Sequence, residues 1–349
     1  MKLLLAQLNP VIGDLDGNAE KIFEVCKNII NRDVDLVITP ELSLIGYPPK
    51  DLLFNPLLFE EEENVLNKLS TKLNNLSQSL SVLIGIAEPT LDKEIPKLYN
   101  SVVILEEGNW RIVARKQLLP TYDVFDEKRY FRSAENSSIL NLNFKKKIWK
   151  IGITICEDIW VEQSLQNEKI LGKDPLKSLE KEKLDLLINL SASPFIQSKS
   201  FLRQQIAAKA AIRLSCPVIY VNQVGGNDEL IFDGSSFTLD KEGKIRQELP
   251  AFQESVRLCD ISLLKQQPSI SSTYPTSQEV LFRALVLGVK DYAKKCNFNS
   301  AIIGLSGGID SALVATIAVA ALGISRVHAI LMPSPWSSAG SVKDATTLA

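Results

Sequence analysis

Short apolar, β-branched runs alternate with amphipathic segments through the first 260 or so residues, and this alternation is the strongest constraint on the fold. Lys2–Leu8, Val34–Ile38, Val82–Ile86, Ser101–Leu105, Trp149–Ile155, Leu184–Asn189 and Val218–Asn222 read as strands. Between them, Gly17–Asn31, Phe59–Leu80 and Ser198–Ser215 carry apolar residues at helical spacing. An amphipathic helix must bury its apolar stripe, and interleaved strands offer a sheet face for it, so the pattern predicts a layered α/β domain.

The alternation breaks between Leu264 and Ser277, where Ser, Gln, Pro and Thr dominate as in a linker. The expected organisation is one domain over residues 1–263, a linker over 264–277, and the start of a second domain over 278–349. Gln278–Cys296 opens that second part as a helix, with Val280, Leu281, Ala284, Leu285, Gly288 and Tyr292 expected on one apolar face. Lys169–Lys183 is charge-rich and reads as a solvated helix and loop without chemistry.

Composition removes several function classes. The 39 basic and 41 acidic residues are interspersed and give a net charge of −2, so nothing points to nucleic acid. No apolar run approaches the roughly 20 residues of a membrane helix, and the N-terminus is interrupted too early for a secretory segment. A cytoplasmic protein is expected. Five scattered cysteines suggest neither a disulfide framework nor a zinc site. The most restrictive count is histidine: His328 is the only one, and it reads as a packed strand residue in RVHAILMP. A nucleophile in this chain must use another base.

Candidate groups sit at strand ends. Cys156, in GITICEDIW, would emerge at the carboxyl edge of a sheet, where open α/β folds place ligands. Its neighbours Glu157 and Asp158 would raise the thiol pKa, so a positive charge must come from elsewhere. Glu41 follows the strand ended by Pro40, and Lys116 closes RIVARKQLLP. Each has an ordinary structural reading: a buried cysteine, a helix-start carboxylate, a snorkelling lysine. Together they would supply nucleophile, base and oxyanion stabiliser without histidine.

A different chemistry is written near the C-terminus. Ser300–Leu305 reads as a buried strand, Ala312–Leu322 as a helix, and Ser306-Gly307-Gly308-Ile309-Asp310-Ser311 joins them. Paired glycines before a helix N-terminus suit an anion such as phosphate. The loop lacks the lysine of a Walker-type loop, and Asp310 beside polyphosphate fits a Mg²⁺ ligand better than a direct contact. A Ser/Gly helix cap is the plainer alternative.

Two resemblances bear on these motifs. The SGGIDS loop resembles the pyrophosphate loop of the N-type ATP pyrophosphatases, which implies ATP binding by Gly304, Leu305, Ser306, Gly307, Gly308, Ile309, Asp310 and Ser311 in a Rossmann-like adenine nucleotide alpha hydrolase domain. TPELSLIGYPPKDLL, RKQLLPTYDVFDEKRYF and GITICEDIW are similar, in order, to the three signature segments of the nitrilase, or carbon–nitrogen hydrolase, superfamily. That resemblance implies a four-layer αββα sandwich with Glu41 as general base, Lys116 as oxyanion stabiliser, Cys156 as nucleophile and Glu127 as a supporting carboxylate.

More narrowly, AQLNPVIGDLDGN, NLSASPF and VNQVGGNDELIFDGSS resemble the glutamine-dependent NAD synthetase family. This implies glutamine contacts at Tyr122, Ser193 and Lys199, with ATP (as its Mg²⁺ complex) and deamido-NAD as further substrates, no prosthetic group, and a homo-oligomer. Surface-lysine and core-edge-tyrosine readings of Lys199 and Tyr122 stay open. So do two readings of Asp233-Gly234-Ser235, as a hairpin turn or as neighbours of the amide-cleaving centre. Members of that family continue well beyond the length seen here, so the chain is expected to be a fragment whose ATP site is incomplete. The alternative expectation is a stand-alone glutaminase or amidase with a non-functional C-terminal remnant.

Overall fold

A computed structural model describes residues 1–90, 96–145, 147–162, 172–270 and 277–349. The chain divides into two compact units, Met1–Val224 with Phe232–Thr273, and Gly225–Ile231 with Tyr274–Ala349. Six of the fourteen residues of the expected linker, 271–276, lie outside the described residues.

The first unit holds two six-stranded sheets. One is built from β1 (Lys2–Gln7), β2 (Leu36–Ile38), β3 (Ser81–Pro89), β4 (Leu98–Glu106) and β5 (Asn109–Arg115), and is completed by β14 (Ser255–Asp260) at the β1 edge. The other takes β6 (Ser138–Phe144), β7 (Lys147–Ile155), β8 (Leu186–Ser191), β9 (Val218–Asn222), β12 (Phe237–Leu239) and β13 (Ile245–Glu248). A hairpin of β10 (Val224–Asn227) and β11 (Leu230–Asp233) interrupts the series.

The same plan recurs in both sheets. Each centres on a parallel trio, β1-β2-β3 in one and β7-β8-β9 in the other, flanked by antiparallel strands. Parallel trios are covered on both faces, and their strands are accordingly apolar throughout: all three residues of β2 and all six of β8 are buried. Alternate residues of the two sheets form one inner core, with Leu3, Leu5, Leu36 and Ile38 from one sheet and Ile151, Ile153, Ile188 and Ile219 from the other.

Helices cover the outer faces. Asp14 caps α1 (Leu15–Lys27) by accepting from Gly17 N. Asn55 caps α2 (Pro56–Leu76), which begins with proline at the position where a missing N–H costs nothing. These two helices pack together, and α2 lies on β3, β4 and β5. On the far side, α3 (Pro175–Leu179) and α4 (Lys199–Leu214) bury Leu176, Leu179, Ile206 and Ala210 against Val218, Tyr220 and Phe237. The layer order is helix, sheet, sheet, helix, as expected. The charge-rich 169–183 segment departs from a purely solvated reading, because Pro175, Leu176 and Leu179 are buried; residues 169–171 lie outside the described residues.

The second unit contains α5 (Ser277–Lys295), β15 (Ala301–Gly304), α6 (Ile309–Leu322), β16 (Val327–Ile330) and α7 (Ala339–Leu348), with β15 and β16 parallel. The buried side of α5 is Val280, Ala284, Leu287 and Asp291, whereas Leu281, Leu285 and Tyr292 are exposed, so the expected apolar face is displaced. On the buried side, the Asp291 carboxylate accepts from Gly226 N at 2.8 Å, and Lys295 Nζ donates to Gly226 O at 3.0 Å. His328 lies on β16 as expected but is exposed rather than packed. No helix among the described residues is long and apolar enough to cross a membrane.

Candidate active site

Three strand ends of the first unit bring Glu41 and Lys116 from one sheet and Cys156 from the other to one centre. Pro40 stops β2, and the following loop folds onto β3: Leu44 N donates to Gly85 O at 3.2 Å, and Gly85 N donates to Ser43 Oγ at 3.3 Å. A side chain at Gly85 would meet Leu42 N at 2.2 Å, so this close approach requires glycine. Glu41 is thereby turned inward and is 1 % exposed.

Lys116 follows β5 directly and is fully buried. Its backbone N–H donates to Asn100 O at 2.8 Å, prolonging the β4–β5 pairing by one step. Its ammonium donates to Glu41 Oε1 at 2.7 Å and to Glu127 Oε1 at 2.8 Å. Burial alone would lower this ammonium's pKa, but the charges of Glu127, Glu41 and the Cys156 thiolate outweigh it and hold it well above the usual lysine range. Burial pushes the Glu127 carboxyl up against the pull of Lys116. Tyr47 Oη also donates to Glu127 Oε1, at 2.9 Å.

Glu41 collects donors from both sheets. Asn100 Nδ2 reaches Oε1 at 2.7 Å, and the backbone N–H of Ala192, just beyond β8, reaches Oε2 at 2.8 Å. A carboxylate has about four acceptor positions. With Lys116 included, the described residues fill three, two on Oε1 and one on Oε2.

Cys156 is the first residue after β7, buried, with φ of 45° at the start of the tight turn Cys156–Ile159. A left-handed backbone is unfavourable for an L side chain by about 1–2 kcal/mol. Here the turn projects the thiol from the sheet edge. Burial is the largest influence raising its pKa, with Glu41 and Glu157 adding to it, while Lys116 and a hydrogen bond with Ser191 oppose them. The positive charge required by the sequence is therefore Lys116. The turn is held by Asp158, whose Oδ2 accepts from Ile155 N at 3.1 Å, and by Asn189 Nδ2, which donates to Cys156 O at 3.3 Å.

The residues expected to contact glutamine surround this centre in different ways. Tyr122 Oη donates to Glu157 Oε1 at 3.0 Å. Lys199 opens α4, half-buried, with its ammonium 5.6 Å and 5.5 Å from the ring centres of Phe125 and Trp160. Burial lowers its pKa, against the charges of Cys156 and Glu157. Ser193 is buried two residues past the end of β8; its N–H donates to Asn222 Oδ1 at 2.9 Å, and its carbonyl accepts from Arg203 Nη1 at 3.3 Å. Arg203 in turn pairs with Asp233 in a buried ion pair, which connects the Asp233-Gly234-Ser235 segment to Ser193.

The glycine loop lies in the second unit. Gly304 ends β15, and Gly308 is the N-cap of α6, which starts three residues earlier than expected. Gly307 has φ of 82°, and a side chain there would meet Ser341 O at 2.1 Å. Within the loop, Ser306 N donates to Ser311 Oγ at 3.2 Å, and Gly308 N donates to Ser306 Oγ at 3.2 Å. A cavity of about 200 Å³ adjoins it, lined by Gly304, Leu305, Ser306, Met332, Ser341 and Val342 among others. Leu305 is buried, and Ile309 is 81 % exposed. Asp310 stands in the first turn of α6, and no cluster of three metal-ligating side chains occurs among the described residues. One carboxylate suits Mg²⁺ only where nucleotide phosphates complete the shell.

The family model described as carbon-nitrogen hydrolase matches residues 3–268, and the one described as NAD synthase matches 281–349. Similar curated proteins include the glutamine-dependent NAD(+) synthetases of Synechocystis sp., 47% identical over 353 residues, and Thermotoga maritima, 35% identical over 383 residues. The alignments cover 99% and 100% of this chain, which spans only 62% and 63% of the relatives' length. Among solved structures, the glutamine-dependent NAD+ synthetase from Acinetobacter baumannii in complex with adenosine diphosphate is 34% identical with a TM-score of 0.85, covering 99% of this chain and 62% of that one. An amidase from Nesterenkonia sp. AN1, at 16% identity and a TM-score of 0.59 over 74% of this chain and 92% of its own, shares the fold.

Proposed function

This chain belongs to the carbon–nitrogen hydrolase family, and from that premise we propose that its first unit cleaves the side-chain amide of glutamine at Cys156. The observation that carries the proposal is the fully buried Lys116 ammonium held between Glu41 and Glu127, with its charge acting on the Cys156 thiol.

Glu41 takes the thiol proton at Oε2. The thiolate attacks the amide carbon, and the developing oxyanion accepts a hydrogen bond from Lys116. Glu41 returns the proton to the leaving nitrogen, ammonia departs, and a glutamyl thioester remains. Glu41 then activates water, which attacks the thioester to give glutamate and the free thiol. Glu127 keeps the ammonium fixed and charged throughout. Lys199 and Ser193 address the substrate's α-carboxylate and backbone end, with Tyr122 at the rim.

The ammonia has a further use in this reading. Deamido-NAD is adenylated by ATP on its nicotinate carboxylate, and ammonia displaces AMP, giving NAD, AMP and pyrophosphate. Residues 304–311 are proposed to take the ATP phosphates, with Asp310 toward a nucleotide-bound Mg²⁺. Support comes from the NAD synthase match over 281–349 and from relatives named as glutamine-dependent NAD(+) synthetases that align along the whole chain. The division into residues 1–263, 264–277 and 278–349 is proposed to separate the two reactions.

The test is direct. Purified chain given glutamine should release glutamate and ammonia, and a Cys156→Ala variant should release neither. Equal release by both proteins would end the amide-cleavage reading. ATP and deamido-NAD, supplied separately and together, test the second step through pyrophosphate and NAD.

A further inference from the structure

We infer that Asp158 is the positioning residue that sets the Cys156 thiol against the Lys116 ammonium. The inference rests on the reading of Cys156 as nucleophile given above.

The two groups belong to different sheets. Lys116 follows β5 of one sheet, and Cys156 follows β7 of the other. Asp158, 2 % exposed, spans the gap with a single carboxylate. Its Oδ1 accepts from Gln117 N at 2.9 Å and Leu118 N at 2.8 Å, the two residues after Lys116. Its Oδ2 accepts from Ile155 N at 3.1 Å, the residue before Cys156. An aspartate that merely closed its own turn would need only the Ile155 contact. The other two donors come from some forty positions upstream, and hydrogen bonds to a buried charge are the strong ones. Their placement ties the backbone beside the ammonium to the backbone beside the nucleophile, at the point where Cys156 holds an unfavourable φ. Asp158 touches no reacting atom in this scheme and acts through the position of its neighbours.

Asp158→Asn keeps the shape but turns one acceptor into a donor facing a backbone N–H. The sign of the effect on the thiol separates positioning from plain charge removal. Deleting a nearby negative charge would by itself lower the Cys156 pKa, whereas withdrawing Lys116 from the thiol would raise it.

The experiment measures iodoacetamide alkylation of Cys156 against pH, followed on its own peptide because Cys26, Cys216, Cys259 and Cys296 are also free thiols. It is paired with glutamine hydrolysis per folded molecule. The expected result is an alkylation profile moved upward by about half a pH unit or more, with kcat down about tenfold or more and KM within about threefold. A profile that stays or moves downward, or a kcat within twofold of the parent, overturns the inference. If the Asn variant does not fold, Asp158→Glu, which keeps the charge but displaces it by one methylene, is read by the same criteria. If neither folds, Asp158 is a folding residue and the inference is withdrawn. Cys156-independent hydrolysis by the parent would instead defeat the functional reading, a separate result.

Discussion

Lys116 and Glu41 form an ion pair at 2.7 Å in which neither side chain is exposed to solvent. Taking both charges out of water is expensive, and the arrangement persists because Glu127, Asn100 and the Ala192 amide complete the shells around it.

Replacing Lys116 by methionine removes the cation that pairs with both Glu41 and Glu127 and leaves the two carboxylates without it. Glutamine hydrolysis should fall by about 100-fold or more, as for loss of an oxyanion donor. Stability should drop by about 3–5 kcal/mol, the usual consequence of breaking a buried pair from one side. Turnover and urea unfolding midpoints measure the two effects.

Asn100→Ala takes away one of the three donors to Glu41. A hydrogen bond to a charged group contributes about 1.5–3 kcal/mol, so kcat should decrease by about tenfold or more. Because Asn100 binds Glu41, the proposed base, KM for glutamine should change little. A change confined to KM would contradict this role.

Gly85→Ala should disable the same site from behind. The new methyl group would lie 2.2 Å from Leu42 N and 2.8 Å from the Glu41 carbonyl carbon, so the loop carrying Glu41 must shift. Overpacking of this kind typically destabilises by about 1–3 kcal/mol. Activity per folded molecule, compared with thermal unfolding, should show turnover falling further than stability accounts for.

Glu62 offers a pH test away from the chemistry. It is buried on α2, and burial pushes its carboxyl up to about 8 despite a hydrogen bond from Ala87 N. The folded chain then holds a proton between roughly pH 4.3 and pH 8 that the unfolded chain has released. Its contribution to stability is therefore full below the unfolded pKa and is lost as pH rises through the folded one, with a slope of up to about 1.4 kcal/mol per pH unit. Glu62→Gln should raise the unfolding midpoint at pH 8 and leave it nearly unchanged at pH 4. The same gain at both pH values would show that Glu62 is not the group responsible.

The sequence made the first unit's architecture legible because its central strands are short, apolar and separated by helical spacing. The edge strands β6, β13 and β14 carry no such mark. β13 is half-buried along its length, and strands of this kind are defined by their partners more than by their own residues. The candidate site was legible where a charged or thiol side chain sits at a strand end, as with Glu41, Lys116 and Cys156, which the structure brings together. Asn100 lies inside β4, where nothing distinguishes it from a structural amide, and Ala192 contributes only its backbone N–H, which has no sequence signature. The buried face of α5 departs from its apolar spacing and includes Asp291, which accepts from a backbone N–H far away in sequence, a contact that hydrophobic spacing cannot anticipate.

The repeated plan of the two sheets has a consequence for inactivation. Glu41 and Lys116 ride on one sheet, Cys156 and the Ala192 amide on the other, so the proposed chemistry requires that the halves stay in alignment. Heat, pressure or a cosolvent that lets them slip by an ångström should silence the enzyme while each half is still well formed. Lost turnover would then serve as an early gauge of sliding between the halves, ahead of any change in helix or strand content.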